Sequence, residues 1–294
     1  MMTGLGQNHD LVVDWLGEAD LSAAHALSTA VGWNQTRDDW QRLLRVSPRG
    51  CFAGRVDGRL IGTATVVEYP PSLGWIGMVI VDSRFRGSGH GKSLLLHAMN
   101  SGREDGIPHL GLDATDDGRR VYLRHGFHGE VPVVRWGGVL TTPRKGEWRE
   151  WVRPCQPELE RICALDRVLT GVDRGRLLRD LGGSAEVTGW VLASPHGDGS
   201  PEGFGFLRPG RETWHLGPLV GLAEASWECL LDAAAIFLAG QPVIADAVGG
   251  EAVEVALRNR GLSPRRHLTR MIHPHSMDVL GGPCCRLGAG FEWG

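Results

Sequence analysis

The chain is 294 residues long, room for about two domains of ordinary size. Hydrophobic residues make up 42%, charged residues 22%, and the formal charge is −3, which excludes a disordered chain and a basic nucleic-acid-binding surface and favours a small-molecule partner. No apolar run reaches the roughly 18 residues of a membrane-spanning helix, and MMTGLGQNHD lacks the basic-then-apolar layout of a signal peptide; the expectation is a cytoplasmic protein with no membrane partner.

The first helical signals are Asp20 before LSAAHALSTAV and Thr36 before RDDWQRLLRV, with Asp39 at the third helical position as in a capping box. One strand precedes them. CFAGRV and RLIGTATVVEY, joined by Asp57-Gly58, read as a hairpin with a two-residue type I′ turn. After Pro70-Pro71, Trp75 to Val81 reads as a buried strand and KSLLLHAMNSGRED as the helix that follows a glycine-rich turn. A strand at His109 to Asp113, a helix from Asp116 to His125 stopped by Gly126, and a strand from Phe127 complete the order β-α-α-β-β-β-α-β-α-β.

From about Glu147 the same order recurs. Helices fit PELERICALDRVL and DRGRLLRDL, strands fit EVTGWVLA, EGFGFLR and TWHLGPLV, and EASWECLLDAAAIFLAG, PVIADAV, a helix and a last strand follow. Asp113-Ala114-Thr115 matches Asp246-Ala247-Val248, and the helix end at Gly126 matches that at Gly261, so the halves read as a repeat. A polar linker at Pro143 to Gly146 sets the expected domains at 1–143 and 147–294.

VIVDSRFRGSGHGKSLLL carries the strongest chemical signal: a buried strand, a turn with Gly87, Gly89 and Gly91, then a helix. Backbone N–H groups of such a turn converge on an anion, the helix N-terminus adds partial positive charge, and Arg86 adds a full one. A Walker loop would need glycine at Arg86, and a dinucleotide fingerprint would need it at Lys92; both fail. Arg86, Gly89 and Gly91 satisfy Arg/Gln-x-x-Gly-x-Gly/Ala. This resembles the cofactor loop of the GNAT N-acetyltransferase superfamily, and Tyr122-Leu123-Arg124-His125-Gly126-Phe127 resembles the Tyr-x-x-x-Gly-Phe helix end of many members.

The resemblance implies an α/β fold of two tandem GNAT-like domains, each a mixed, largely antiparallel splayed sheet flanked by helices. It implies an acetyl-CoA site made by Met78, Val79, Ile80 and Val81 of the strand and by Arg86, Gly87, Ser88, Gly89, His90, Gly91, Lys92 and Ser93 of the turn and helix start. The acetyl group would pass directly to a primary amine of a small molecule, polarised by backbone N–H groups near Val79 to Val81, with Tyr122 as the acid that protonates the departing thiolate. Tyr122 acting only by packing or hydrogen bonding is the alternative. No base is assigned: Asp82 comes too late in the strand, and Glu68 and Asp113 read more readily as surface or capping residues.

No metal is expected. The six cysteines form no Cys-x-x-Cys pair and read as reduced structural thiols, the adjacent Cys284 and Cys285 included, and His273-Pro274-His275 has no acidic or cysteine partner nearby. The second half passes from Val220 through Gly221-Leu222-Ala223-Glu224 into helix without a loop arginine, and Leu257 stands opposite Tyr122, so this half reads as a degenerate repeat that walls the acceptor pocket or only stabilises the first. The rival class is a non-catalytic acyl-CoA-binding sensor or partner-binding module. Tyr122 favours the enzyme and the absent base favours the rival; composition leaves the oligomeric state open.

Overall fold

A computed structural model describes residues 10–141, 147–194, 199–274 and 285–294. The expected linker at 143–146, His275 and Cys284 lie outside them. In the first half the order is β1 (Val12–Trp15), α1 (Leu21–Ala30), α2 (Arg37–Val46), β2 (Cys51–Val56), β3 (Arg59–Tyr69), β4 (Leu73–Val81), α3 (His90–Glu104), β5 (His109–Ala114), α4 (Asp116–Leu123) and β6 (His128–Val139). The second half repeats it with β7 (Val152–Pro154), α5 (Leu159–Thr170), α6 (Gly175–Gly183), β8 (Thr188–Ala193), β9 (Pro201–Arg208), β10 (Trp214–Gly221), α7 (Glu224–Leu238), β11 (Pro242–Val248), α8 (Glu251–Asn259) and β12 (Leu262–His273). A further strand, β13 (Cys285–Leu287), has no counterpart among the described residues of the first half and no signal in the sequence.

Local chemistry explains the early boundaries. The Thr36 hydroxyl accepts from the Asp39 amide at 3.2 Å and the Asp39 carboxylate accepts from the Thr36 amide at 2.9 Å, a complete capping box. Asp20 stands at the head of α1 but does not cap it; its carboxylate accepts instead from the Gly17 amide at 3.0 Å and from Arg55 at 2.9 Å. Asp57 and Gly58 have φ of +50° and +76°, the left-handed pair that a type I′ turn requires.

All thirteen strands among the described residues join one sheet in the order β1-β2-β3-β4-β5-β12-β6-β11-β13-β10-β9-β8-β7. The last strand of each half has crossed over: β12 pairs with β5, and β6 pairs with β12 and β11. Two cross-strand ion pairs mark the exchange, each between directly opposed residues. Arg270 of β12 grips Asp113 of β5 at 3.0 and 3.1 Å, and Arg135 of β6 grips Asp246 of β11 at 2.7 and 2.7 Å. Asp113, Arg270 and Asp246 are almost fully buried, so removing either partner of a pair would strand a charge at a cost of about 3–5 kcal/mol.

Alternating strand residues feed opposite faces. Trp75 joins Leu43 of α2 and Leu177 and Leu178 of α6 in a core that spans both halves, while neighbouring Ile76 packs with Leu94 and Leu95 of α3. The segment 288–294 is threaded into the junction. Tyr69 Oη donates to the Trp293 carbonyl at 2.8 Å, Trp75 Nε1 donates to the Phe291 carbonyl at 2.9 Å, and a Cβ at Gly77 would stand 3.0 Å from Glu292 Cα. Glycine at 77 is what admits the segment onto β4.

Candidate active site

Strand β4 pairs in parallel with β5 only through Leu73, Trp75 and the residue between them; from Ile76 onward the ladder stops and the two strands diverge. On its other edge β4 shifts register against β3 between Thr63 and Thr65, so two residues oppose one. Met78 takes up this bulge with φ +49°, and Thr63 Oγ1 donates to its carbonyl at 2.7 Å. The divergence leaves backbone hydrogen-bonding groups of β4 facing a cleft instead of a neighbouring strand.

That cleft is a pocket of about 630 Å³. Its walls are Ile76 to Val81 of β4, Arg86, Leu112 and Asp113 of β5, Thr115, Tyr122 of α4, and Val31, Trp33 and Gln35 between α1 and α2. Arg135, Arg266, Leu268, Phe291 and Glu292 close it. The last four belong to the second half of the chain. Met78, Val79, Ile80, Val81, Arg86 and Tyr122, singled out from the sequence, therefore share one cavity.

Gly87, Ser88, Gly89, His90, Gly91, Lys92 and Ser93 do not line it; they form the turn and the first turn of α3 beside its Arg86 rim. Gly87 and Gly89 have φ of +84° and +85°, and a Cβ at either would meet nothing within 4 Å. Glycine is present there for backbone conformation and open approach. Gly89 is the N-cap of the fifteen-residue α3, whose first amides have no helical carbonyl to bind. Arg86 Nε donates to the Val81 carbonyl at 3.0 Å, tying the turn to the end of β4. An open cradle of amides beside an exposed guanidinium, continuous with an unpaired strand edge, fits the pyrophosphate and amide-bearing arm of coenzyme A.

Tyr122 is half-buried, edge-on to Phe127 with ring centroids 5.9 Å apart. Burial pushes its phenol above the ordinary tyrosine value, so it holds its proton at neutral pH. Gly118, one turn earlier, would carry a Cβ 3.0 Å from the Tyr122 ring; its bareness gives the ring room.

The carboxylates sort clearly. Glu68 is exposed on a separate groove, and Asp82 is bound to Arg84, which holds its pKa down at about 2. Asp113, expected as a surface or capping residue, has its carboxylate buried in the pocket wall and paired with Arg270; burial raises its pKa while Arg270 opposes the rise. That arginine comes from a strand 157 positions away in sequence, which no local pattern reveals.

Behind Glu292 runs a buried polar chain. Glu292 accepts from Gln35 Nε2 at 2.8 Å and from Arg208 at 2.6 Å; Arg208 also donates to Asp39 at 3.2 Å and to His215 Nδ1 at 2.7 Å. Arginine can only donate, so His215 Nδ1 accepts and its Nε2–H points to Asp246 Oδ2 at 3.2 Å. Burial and then the Arg208 charge hold the His215 pKa below its ordinary value, keeping the ring neutral. Of the other histidines, His90 opens α3, and His273 lies 3.3 Å from Arg103 and packs against Phe127.

Comparison with known proteins finds a family match in each half of the chain. The acetyltransferase (GNAT) family model matches residues 15–127, and an acetyltransferase (GNAT) domain model matches residues 162–279. The holothin acyltransferase of Pseudoalteromonas sp. (strain SANK 73390) is 24% identical over 194 residues, which are 66% of this chain and 63% of that protein. A glucosamine 6-phosphate N-acetyltransferase of Trypanosoma brucei brucei is 28% identical over 90 residues, 29% of this chain and 61% of its own. The matches thus span under two thirds of each relative's length. Among solved structures, a candidate acetyltransferase of Pyrococcus horikoshii superposes with a TM-score of 0.81 at 18% identity, covering 97% of this chain and 96% of its own. A tandem GNAT protein from the clavulanic acid biosynthesis pathway gives 0.61 at 14% identity, covering 92% and 100%.

Proposed function

Because the chain belongs to the GNAT acetyltransferase superfamily and carries two of its domains in tandem, we propose that its first half transfers an acetyl group from acetyl-CoA directly to the primary amine of a small molecule. The observation that carries this reading is the pocket in which the unpaired edge of β4, Arg86 and Tyr122 meet. The glycine turn and α3 start hold the pyrophosphate, and the unpaired edge of β4 holds the pantetheine amides. Acetyl-CoA supplies the activated thioester.

The residues then divide the work. The amine enters from the side of Trp33, Gln35 and Glu292, and backbone N–H groups around Met78 to Val81 take the developing negative charge on the carbonyl oxygen. The N–C bond forms and the C–S bond breaks. Tyr122 gives its proton to the thiolate and is reprotonated from solvent. Asp113 and Glu292 each already bind an arginine, so the amine loses its proton to water, which reaches the pocket beside exposed Arg266.

The test is release of free thiol from acetyl-CoA across a panel of primary amines, with mass detection of the acetylated product. Acceptor-dependent release at wild-type Tyr122, reduced in Tyr122→Phe, is expected. Tight acetyl-CoA binding with no release on any amine would sink the enzyme in favour of an acyl-CoA-binding sensor.

A further inference from the structure

Between Pro264 and Arg266, β12 shifts register against β6: Pro264 opposes Trp136 and Arg266 opposes Arg135, leaving Arg265 as the extra residue. Without this bulge Arg265 would face Arg135, and Arg266 would turn to the other face of the sheet. The bulge therefore aims a second guanidinium into the pocket directly across from the first. Like charges opposed on neighbouring strands repel. Arg135 is neutralised by Asp246, but Arg266 has no hydrogen-bond or ion-pair partner among the described residues. Partial burial and the Arg135 charge, against a smaller pull from Asp246, lower its pKa from the ordinary arginine value.

Gln35, in the same pocket wall, is 6% exposed, and its Nε2 is spent on Glu292. Its Oε1 is buried without a donor among the described residues. A buried acceptor beside a carboxylate calls for a donor, preferably a positive one.

We propose that the acceptor is an amine that also carries an anionic group, with Arg266 receiving the anion and Gln35 Oε1 and Glu292 receiving the amine. This deepens the acyl-transfer reading and rests on it. A charge-assisted contact to guanidinium separates anionic from neutral acceptors by about 10–100-fold.

The experiment compares matched pairs on the full-length protein with acetyl-CoA: lysine against lysinamide for a carboxylate, and glucosamine 6-phosphate against glucosamine for a phosphate. The expected result is a kcat/KM at least ~10-fold higher for the anionic member of one pair. Arg266→Gln should erase the preference through KM and leave kcat within about 3-fold, and Arg266→Lys should restore part of it. Equal use of neutral and anionic partners would overturn the anion site while leaving acyl transfer intact. So would an Arg266→Gln variant that keeps the preference, or one that loses acetyl-CoA affinity in its place, since the guanidinium would then serve a coenzyme phosphate. If no amine releases thiol, acyl transfer fails, and calorimetric titration of the same pairs into the acetyl-CoA-loaded protein still decides the anion site: selective binding of an anionic member sustains it, and equal or absent binding ends it.

Discussion

Strands β4 and β10 occupy the same place in their halves and begin alike. Each pairs in parallel with the next strand of its half over three residues, Leu73–Trp75 with His109–Gly111 and Trp214–Leu216 with Val243–Ala245, and each then bulges away. What fills the wedge differs. Beyond β4 it is the 630 Å³ pocket; beyond β10 it is β13, which pairs with β10 at Leu219 and Val220 and with β11 at Ala247. The turns differ in the same sense. A Cβ at Gly87 or Gly89 meets nothing within 4 Å, whereas one at Gly221 would stand 2.9 Å from the Trp227 amide nitrogen. The second half has kept the wedge and spent its hydrogen-bonding edge on its own chain, so the edge left open beside β4 is already paired beside β10.

Separating the halves would break the comparison most completely. A chain ending at Thr141 keeps β6 but neither of its partners, β11 and β12, and loses the 288–294 segment that packs on Gly77. It should fail to fold, giving aggregation and no near-ultraviolet circular dichroism; a soluble, cooperative fragment would mean that the strand exchange is not required.

Within the intact chain, Tyr122→Phe should lower kcat by roughly 10²–10⁴-fold with little change in acetyl-CoA affinity. The phenol pKa is raised above about 10, so the protonated form persists and wild-type kcat should show no loss from this group between about pH 7 and 9. An unchanged turnover in the variant would leave thiolate protonation to water.

Gly89→Glu puts a carboxylate into the open cradle at φ +85° and should weaken acetyl-CoA binding by more than about 100-fold in calorimetry. Glu224→Ala at the matching turn of the second half should do nothing. Equal responses from the two turns would erase the distinction between the halves.

The smallest effect tests the seam. Below about pH 6.5 the unfolded chain protonates His215 while the folded chain, whose His215 pKa is lowered, does not. Stability is thus fully present above that value and falls as pH drops through it, by up to about 1.4 kcal/mol per pH unit from this residue. Calorimetric melting from pH 7.5 to 5 should show the slope, and His215→Gln should reduce it.

Much of this was legible beforehand. The Asp57-Gly58 turn, the Thr36 capping box and both α/β successions follow from short-range chemistry, and all are present. The match between Asp113 and Asp246 also holds in space, since each takes an arginine from the exchanged strand. Sequence could not say that the arginines would be Arg270 and Arg135, because strand order is a property of the whole sheet. For the same reason Gln35, Arg266 and Glu292 carry no signal in the sequence: none belongs to a local motif, and the threading of 288–294 and the β12 bulge bring them to one cavity. Short β13, three residues long, carries too little pattern to be read as a strand.

The strand exchange also sets a timetable for synthesis. When β5 leaves the ribosome its outer edge has no partner, because the strand that will cover it, Leu262–His273, is encoded roughly 160 residues later, a delay of about 10–30 s at ordinary translation rates of roughly 5–20 residues per second. Throughout that interval the nascent chain presents the unpaired backbone edge of His109–Ala114. Its yield in a cell should therefore respond to elongation speed and to holding chaperones far more than its finished, edge-paired sheet would suggest.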